Sequence, residues 1–276
     1  MATLVTFHAH PDDEAIATGG TMRLAADAGH DVVLVTATRG ECGEPVPGVL
    51  AEGEQLWERR VTETLAAAEI LGAKRVEFLG YRDSGMMGEP TNDDPACFWR
   101  ADLDEAAERL AAILREVGAD VLTIYDEHGG YGHPDHIKVH QVGRRAAELA
   151  GIPRVFQATM NRTRIMESMR ERAQEMSDLG EFGDDAEKRL RRIEESENSF
   201  GSPEEEITHA IDVASVVDAK RAAMVAHRSQ IADDSFFLKM PPEMFTEAFG
   251  TEWFIELGRR REPGTPFWTD LFDGLS

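Results

Sequence analysis

Two cysteines, Cys42 and Cys97, in 276 residues are too few for a disulfide framework or a cysteine-rich zinc site. A reducing cytoplasm is the expected setting. No stretch approaches the ~20 apolar residues that span a bilayer. The opening "MATLVTFHAH" has neither a basic start nor a small-residue cleavage site. Positive charge is scarce too: 29 Lys and Arg stand against 52 Asp and Glu, a formal charge of -23. Such a surface repels phosphate backbones and anionic lipid, so neither nucleic acid nor membrane is an expected partner. A neutral or cationic small molecule is easier to accommodate. Internal repeats, coiled-coil heptads and a glycine fingerprint for a dinucleotide after the first strand are all missing.

What is present is strand-helix alternation. The β-branched runs "TLVTF", "DVVLVTAT", "RVEFLG", "DVLTIYD" and "PRVFQATM" read as strands. Helical spacing of apolar residues predicts helices over 15–29, 54–72, 103–118 and 136–150, with Gly29, Gly72 and Gly118 where helix C-termini favour glycine. The expectation is an α/β fold: a Rossmann-like, mostly parallel sheet flanked by helices, with a helical insertion and a smaller C-terminal part. Residues 1–160 form the expected metal-binding catalytic core. Residues 161–276 hold a charged insertion or lid, read as two solvated helices over 161–200, and a C-terminal α/β part of the same domain.

Open sheets of this kind bind ligands beyond the carboxyl ends of their strands. The polar loops "FHAHPDDE", "TRGECGEPVPG", "GYRDSGMMGE" and "DEHGGYGHPDH" follow strands one to four and so collect on one edge. In the first, His10 and Asp13 can reach one point across a strand-to-helix turn, with Asp12 facing a water. Alternatively Asp12 or Asp13 simply caps the helix behind Pro11. The fourth loop weighs against the plain cap, because it adds His133 and His136 at i, i+3 spacing. One imidazole from each loop plus one carboxylate makes a His/His/Asp set with an open position, the pattern of catalytic zinc.

"AHPDDE", "HPDH", "ERRVTE" opening the second helix and "DSGM" after the third strand resemble the motifs of the PIG-L/LmbE-like zinc de-N-acetylases. "YDEHGGYGHPDH" is similar to the branch acting in mycothiol metabolism, which contains a deacetylase and an S-conjugate amidase. The resemblance covers the first 160 residues well and the remainder loosely. It implies one zinc per chain held by His10, Asp13 and His136, a ligand set that iron also suits. It further implies Asp12 as general base, His133 in protonated form as a stabiliser of the tetrahedral intermediate, Asp135 as the acid orienting a neighbouring histidine, and Tyr131 as a phenol at the reacting carbonyl. Arg60 and Asp83 match sugar-binding positions, and Met86 lies on the same rim.

The expected reaction is hydrolysis of an N-acyl group from an amino sugar such as an N-acetylglucosaminide. An amidase acting on a larger cysteinyl-glucosamine conjugate is the alternative within the family, and a non-catalytic sugar-binding protein the alternative outside it. A homo-oligomer stays open. Among the other histidines, His8 is read as packed or supporting, His140 as an ordinary helix side chain and His128 as a loop residue within reach of substrate. His227 in "AHRSQ" supports the site or is structural, and Cys42 has no activating partner.

Overall fold

The computed structural model describes residues 1–178 and 200–275. The second helix expected before residue 200 falls outside them, whereas the first is Arg162–Asp178, numbered α7 in chain order. Among the described residues, seven strands form one sheet: β1 (Thr3–His8), β2 (Asp31–Thr36), β3 (Arg75–Phe78), β4 (Val121–Tyr125), β5 (Arg154–Thr159), β6 (His209–Asp212) and β7 (Thr251–Glu256). Their order is β3-β2-β1-β4-β5-β7-β6. The first five are parallel, while β7 runs antiparallel to both β5 and β6.

The apolar runs account for this arrangement. Strands β1, β2 and β4 are buried almost throughout, as expected of parallel strands covered on both faces. Helices α1 (Asp13–Ala17), α2 (Gly19–Asp27), α3 (Leu56–Leu71) and α4 (Leu103–Val117) connect the first four strands. A single turn, α5 (Gly129–Gly132), and the long α6 (Pro134–Ala150) lead to β5. On α4 the side chains Ala107, Leu110, Ala111 and Leu114 form the buried stripe. Asp102 caps that helix by accepting from the Glu105 N–H at 3.0 Å.

The helix expected over 15–29 is divided. Thr18 leaves helical geometry at φ -135° and turns its hydroxyl to His8 Nε2 at 2.9 Å. The buried polar contact at the sheet outweighs local helix continuity there.

The chain passes from β1 to β2 on one side, then returns to place β4 on the other side of β1. The switch in direction lies between β1 and β4, and the crevice it opens is where ligands of such sheets sit. Among the described residues no helix is long and apolar enough to cross a membrane.

Candidate metal centre and active site

The loops after β1 and β4 face each other across that switch point. His10, from the first, has Nδ1 3.4 Å from Asp13 Oδ2, and His136 Nε2, from the second, lies 3.3 Å from the same oxygen. A tetrahedral ion with bonds of ~2.0–2.1 Å has its ligands about 3.3–3.4 Å apart. Both distances to Asp13 Oδ2 match that spacing. His136 Nε2 is buried with no hydrogen-bond partner, a condition that buried polar atoms normally avoid. The three groups therefore fit a divalent cation. Asp13 is further fixed by the His10 N–H at 2.8 Å, so one turn presents two donor side chains and locks their relative position.

The far side of His10 explains Asp135. His10 Nε2 meets Asp135 Oδ2 at 3.2 Å, the carboxylate-histidine arrangement that sets tautomer and ring angle in metal ligands. The side chain of Asp135 thus orients His10, while its backbone N–H donates to His133 Nδ1 at 3.1 Å. Ser84 in turn holds Asp135, through its N–H at 2.9 Å and through its hydroxyl. The serine stands in "DSGM", but the sequence gives no sign that its partner is 51 residues away.

Electrostatics follow from burial and crowding. Burial pulls the His10 imidazole down, yet the carboxylates of Asp83, Asp13 and Asp135 outweigh it and leave His10 well above its ordinary value. Burial pushes Asp13 up, but His136 and His10 hold it well below the usual carboxylate range. Asp12 has a weaker partner. Burial raises it to about 6 against the pull of Arg60, leaving an ionised carboxylate near neutral pH that still accepts a proton readily. His133 is lowered to about 4 by burial and by the neighbouring imidazoles of His10 and His136. With Nδ1 accepting from Asp135, the neutral ring carries its proton on Nε2 and donates from there.

Tyr131 stands half exposed on α5, its ring centroid 5.0 Å from that of His136. Burial and Asp13 raise its phenol above the ordinary value, so it remains a donor. The turn that carries it needs glycine: at Gly129, with φ +61°, a Cβ would lie 2.6 Å from that of His136. Asp126 fixes the same loop by accepting from the N–H groups of His128 and Gly130 and from Thr159 Oγ1.

The residues expected at the sugar are differently placed. Met86 is exposed on the rim. Arg60 is buried, its guanidinium donating to Gly40 O at 3.0 Å, Pro11 O at 2.5 Å and Asp12 Oδ2 at 3.3 Å. Asp83 is buried with Oδ1 3.5 Å from His10 Nε2, and it accepts from the Gly85 and Cys42 N–H groups. The Cys42 thiol is pushed up to about 11 by burial and by Asp83, which agrees with its lack of an activating partner. His8 is packed between Tyr125 Oη at 2.7 Å and Thr18. His140 bonds the Tyr125 carbonyl at 3.0 Å, and His128 is solvent-exposed.

The profile of the GlcNAc-PI de-N-acetylase family, PIG-L, matches residues 5–147, the stretch that carries every loop described above. The chain belongs to the PIG-L family. It is 41% identical over 99% of its length to the 1D-myo-inositol 2-acetamido-2-deoxy-alpha-D-glucopyranoside deacetylase of Salinispora arenicola, covering 91% of that protein. Against the enzyme of the same name from Acidothermus cellulolyticus it is 41% identical, with 100% and 96% of the two chains covered. Among solved structures, the N,N'-diacetylchitobiose deacetylase of Pyrococcus horikoshii superposes with a TM-score of 0.57 at 22% identity, covering 95% of this chain and 87% of that one. A 4-carboxy-2-hydroxymuconate hydratase from Pseudomonas putida scores 0.58 at 21%, covering 96% and 100%. The fold therefore serves more than one chemistry, and it is sequence kinship that places this PIG-L chain among amide-hydrolysing enzymes.

Proposed function

We propose that this chain is a zinc-dependent deacetylase that releases acetate from a 2-acetamido-2-deoxyglucosyl-inositol. The observation that carries the reading is the convergence of His10 and His136 on Asp13 Oδ2 at 3.4 and 3.3 Å, with the Asp12 carboxylate, next in the chain, held by Arg60 instead. Kinship at 41% identity over the full length to deacetylases of that substrate supplies the sugar. Bound by those three residues, zinc supplies Lewis-acid polarisation of the acyl carbonyl and a water with its pKa lowered toward ~7.

The chain's own groups then divide the work. Asp12 takes the proton of the attacking water and, near a pKa of about 6, is matched to hand it on to the leaving amine. His133, neutral, donates from Nε2 to the oxygen that gains charge, and the half-exposed Tyr131 phenol is a second donor to it. Asp135, held by Ser84, keeps His10 aimed. Met86 contributes the sugar-side rim. Arg60 and Asp83 shape the floor beneath the sugar while holding Asp12 and the Cys42 and Gly85 turns. The products are acetate and a free amine.

The test is a panel of amide substrates scored for released primary amine. The expected result is turnover of N-acetylglucosaminyl-inositol by the zinc-loaded protein. Asp12→Asn should lower kcat by ~10²–10⁴-fold at unchanged zinc content. Undiminished turnover in that variant would remove Asp12 as base, and silence on the acetamido sugar with cleavage of a cysteinyl-glucosamine conjugate would move the reading to the amidase.

A further inference from the structure

Among the described residues, Asp12 is the one non-glycine residue with positive φ, at 98°. Sterics disfavour that conformation for any residue with a Cβ, so something must hold it. Its N–H donates to Glu14 Oε2 at 3.0 Å. The other oxygen of Glu14 meets His227 Nε2 at 2.5 Å. Both side chains of this pair are fully buried. Burial opposes charge on each, but their attraction prevails: Glu14 falls below its ordinary value and His227 rises above its own.

His227 ends α8 (Val217–Ala226) as its C-cap and begins a short strap. Ser229, two residues on, donates from N–H and hydroxyl to the two oxygens of Glu63 at 2.9 and 2.6 Å, and its carbonyl accepts from Val46 N–H at 2.8 Å. Glu63 lies one turn beyond Arg60 on α3, and Arg60 holds the Pro11 carbonyl and the Asp12 carboxylate. The strap thus braces the base twice, through its peptide N–H and, by way of α3, through the arginine on its other side. The metal ligand Asp13 has an independent anchor in the His10 N–H.

We propose that the buried His227–Glu14 pair is a positioning device for the base: it pins the Asp12 peptide in its left-handed conformation and so aims the carboxylate. Neither residue contacts the reacting atoms. This rests on the assignment of Asp12 as base. With the pair broken, the Asp12 peptide relaxes toward negative φ and the carboxylate swings away, while His10, Asp13 and His136 keep their own contacts.

The experiment uses the full-length, zinc-loaded protein with N-acetylglucosaminyl-inositol, measuring kcat, KM, zinc stoichiometry and melting temperature. His227→Phe retains the ring volume and removes the nitrogen; His227→Gln places an amide N–H where the imidazole Nε2 stood. The phenylalanine variant should lose ~10–100-fold in kcat at unchanged KM and full zinc content. The glutamine variant should recover most of that loss, and in an Asp12→Asn background His227→Phe should cost nothing further. If His227→Phe does not fold, Glu14→Ala carries the test with the same expected loss. Full kcat in His227→Phe, zinc lost in proportion to activity, no rescue by glutamine, or additive losses in the double variant would each overturn the proposal. Full turnover in Asp12→Asn alone would instead remove the base assignment beneath it.

Discussion

Two buried clusters of charge in this protein differ in how far they satisfy themselves. At the junction of β7 with α2, Glu252 accepts from the Gly20 and Thr21 N–H groups at 2.8 Å each and from Lys220 Nζ at 2.5 Å. Lys220 and Glu252 are almost wholly buried, and both carboxylate oxygens of Glu252 are hydrogen-bonded. At the β1/β4 crevice, the imidazoles of His10 and His136 crowd against Asp13, Asp83 and Asp135, and His136 Nε2 is left without a hydrogen bond. A buried cluster with surplus negative charge and an orphaned nitrogen is costly by itself. It becomes reasonable when a cation is part of the folded protein. The satisfied cluster ties β7 to α2; the unsatisfied one is poised for chemistry.

That contrast can be broken by experiment. The largest effect is expected at the crevice: His136→Ala removes one of the three donors, so zinc occupancy by elemental analysis should collapse and amine release fall with it. Unchanged zinc would show that the orphaned nitrogen is not a ligand. At the other cluster, Lys220→Met strands Glu252 as an uncompensated buried charge, and urea unfolding should show a loss of ~3–5 kcal/mol with zinc stoichiometry intact. Zinc loss in that variant at temperatures where it stays folded would erase the distinction between the two clusters.

The smallest effect concerns His209 in β6, which packs against Phe156 and Trp268. Burial lowers it from 6.5 to about 4, so it is neutral in the fold while the unfolded chain takes up a proton below pH 6.5. Its contribution to stability is therefore present above pH 6.5 and lost as pH falls toward 4. His209→Asn keeps a polar group beside Thr208, the partner of His209 Nδ1, and should flatten that part of the stability-pH curve. A slope identical to the parent would exclude His209 as its source.

The sequence was informative where chemistry is local. The strand-to-helix turn of "HPDDE" brings His10 and Asp13 together within three residues, and the i, i+3 pair in "GHPDH" puts His133 and His136 on one side of a helix start. The parallel strands and their loops were legible because apolar runs alternate with helical spacing. Less was legible in the helix over 15–29, which breaks at Thr18 because a contact to His8 from the neighbouring strand overrides helix continuity. The "DSGM" and "AHRSQ" motifs stood out, but their tasks did not: Ser84 serves Asp135, and His227 serves Glu14 across 213 positions. Nor does spacing foretell that burial and two neighbouring imidazoles lower His133.

By itself, the sequence determined which groups are available and that they stand at the ends of parallel strands, since residue type and periodicity are properties of neighbours along the chain. The tertiary structure decided the pairing. Asp135 turned its carboxylate to His10 while its N–H went to His133, Arg60 was buried against Asp12, and a strap from the C-terminal part reached Glu14 and Glu63. These contacts depend on β4 lying beside β1 and on the fold of α8 over α1 and α3, which no spacing within one segment specifies. Distance in sequence carries no direction in space until the sheet is assembled, and for this site the directions decide the chemistry.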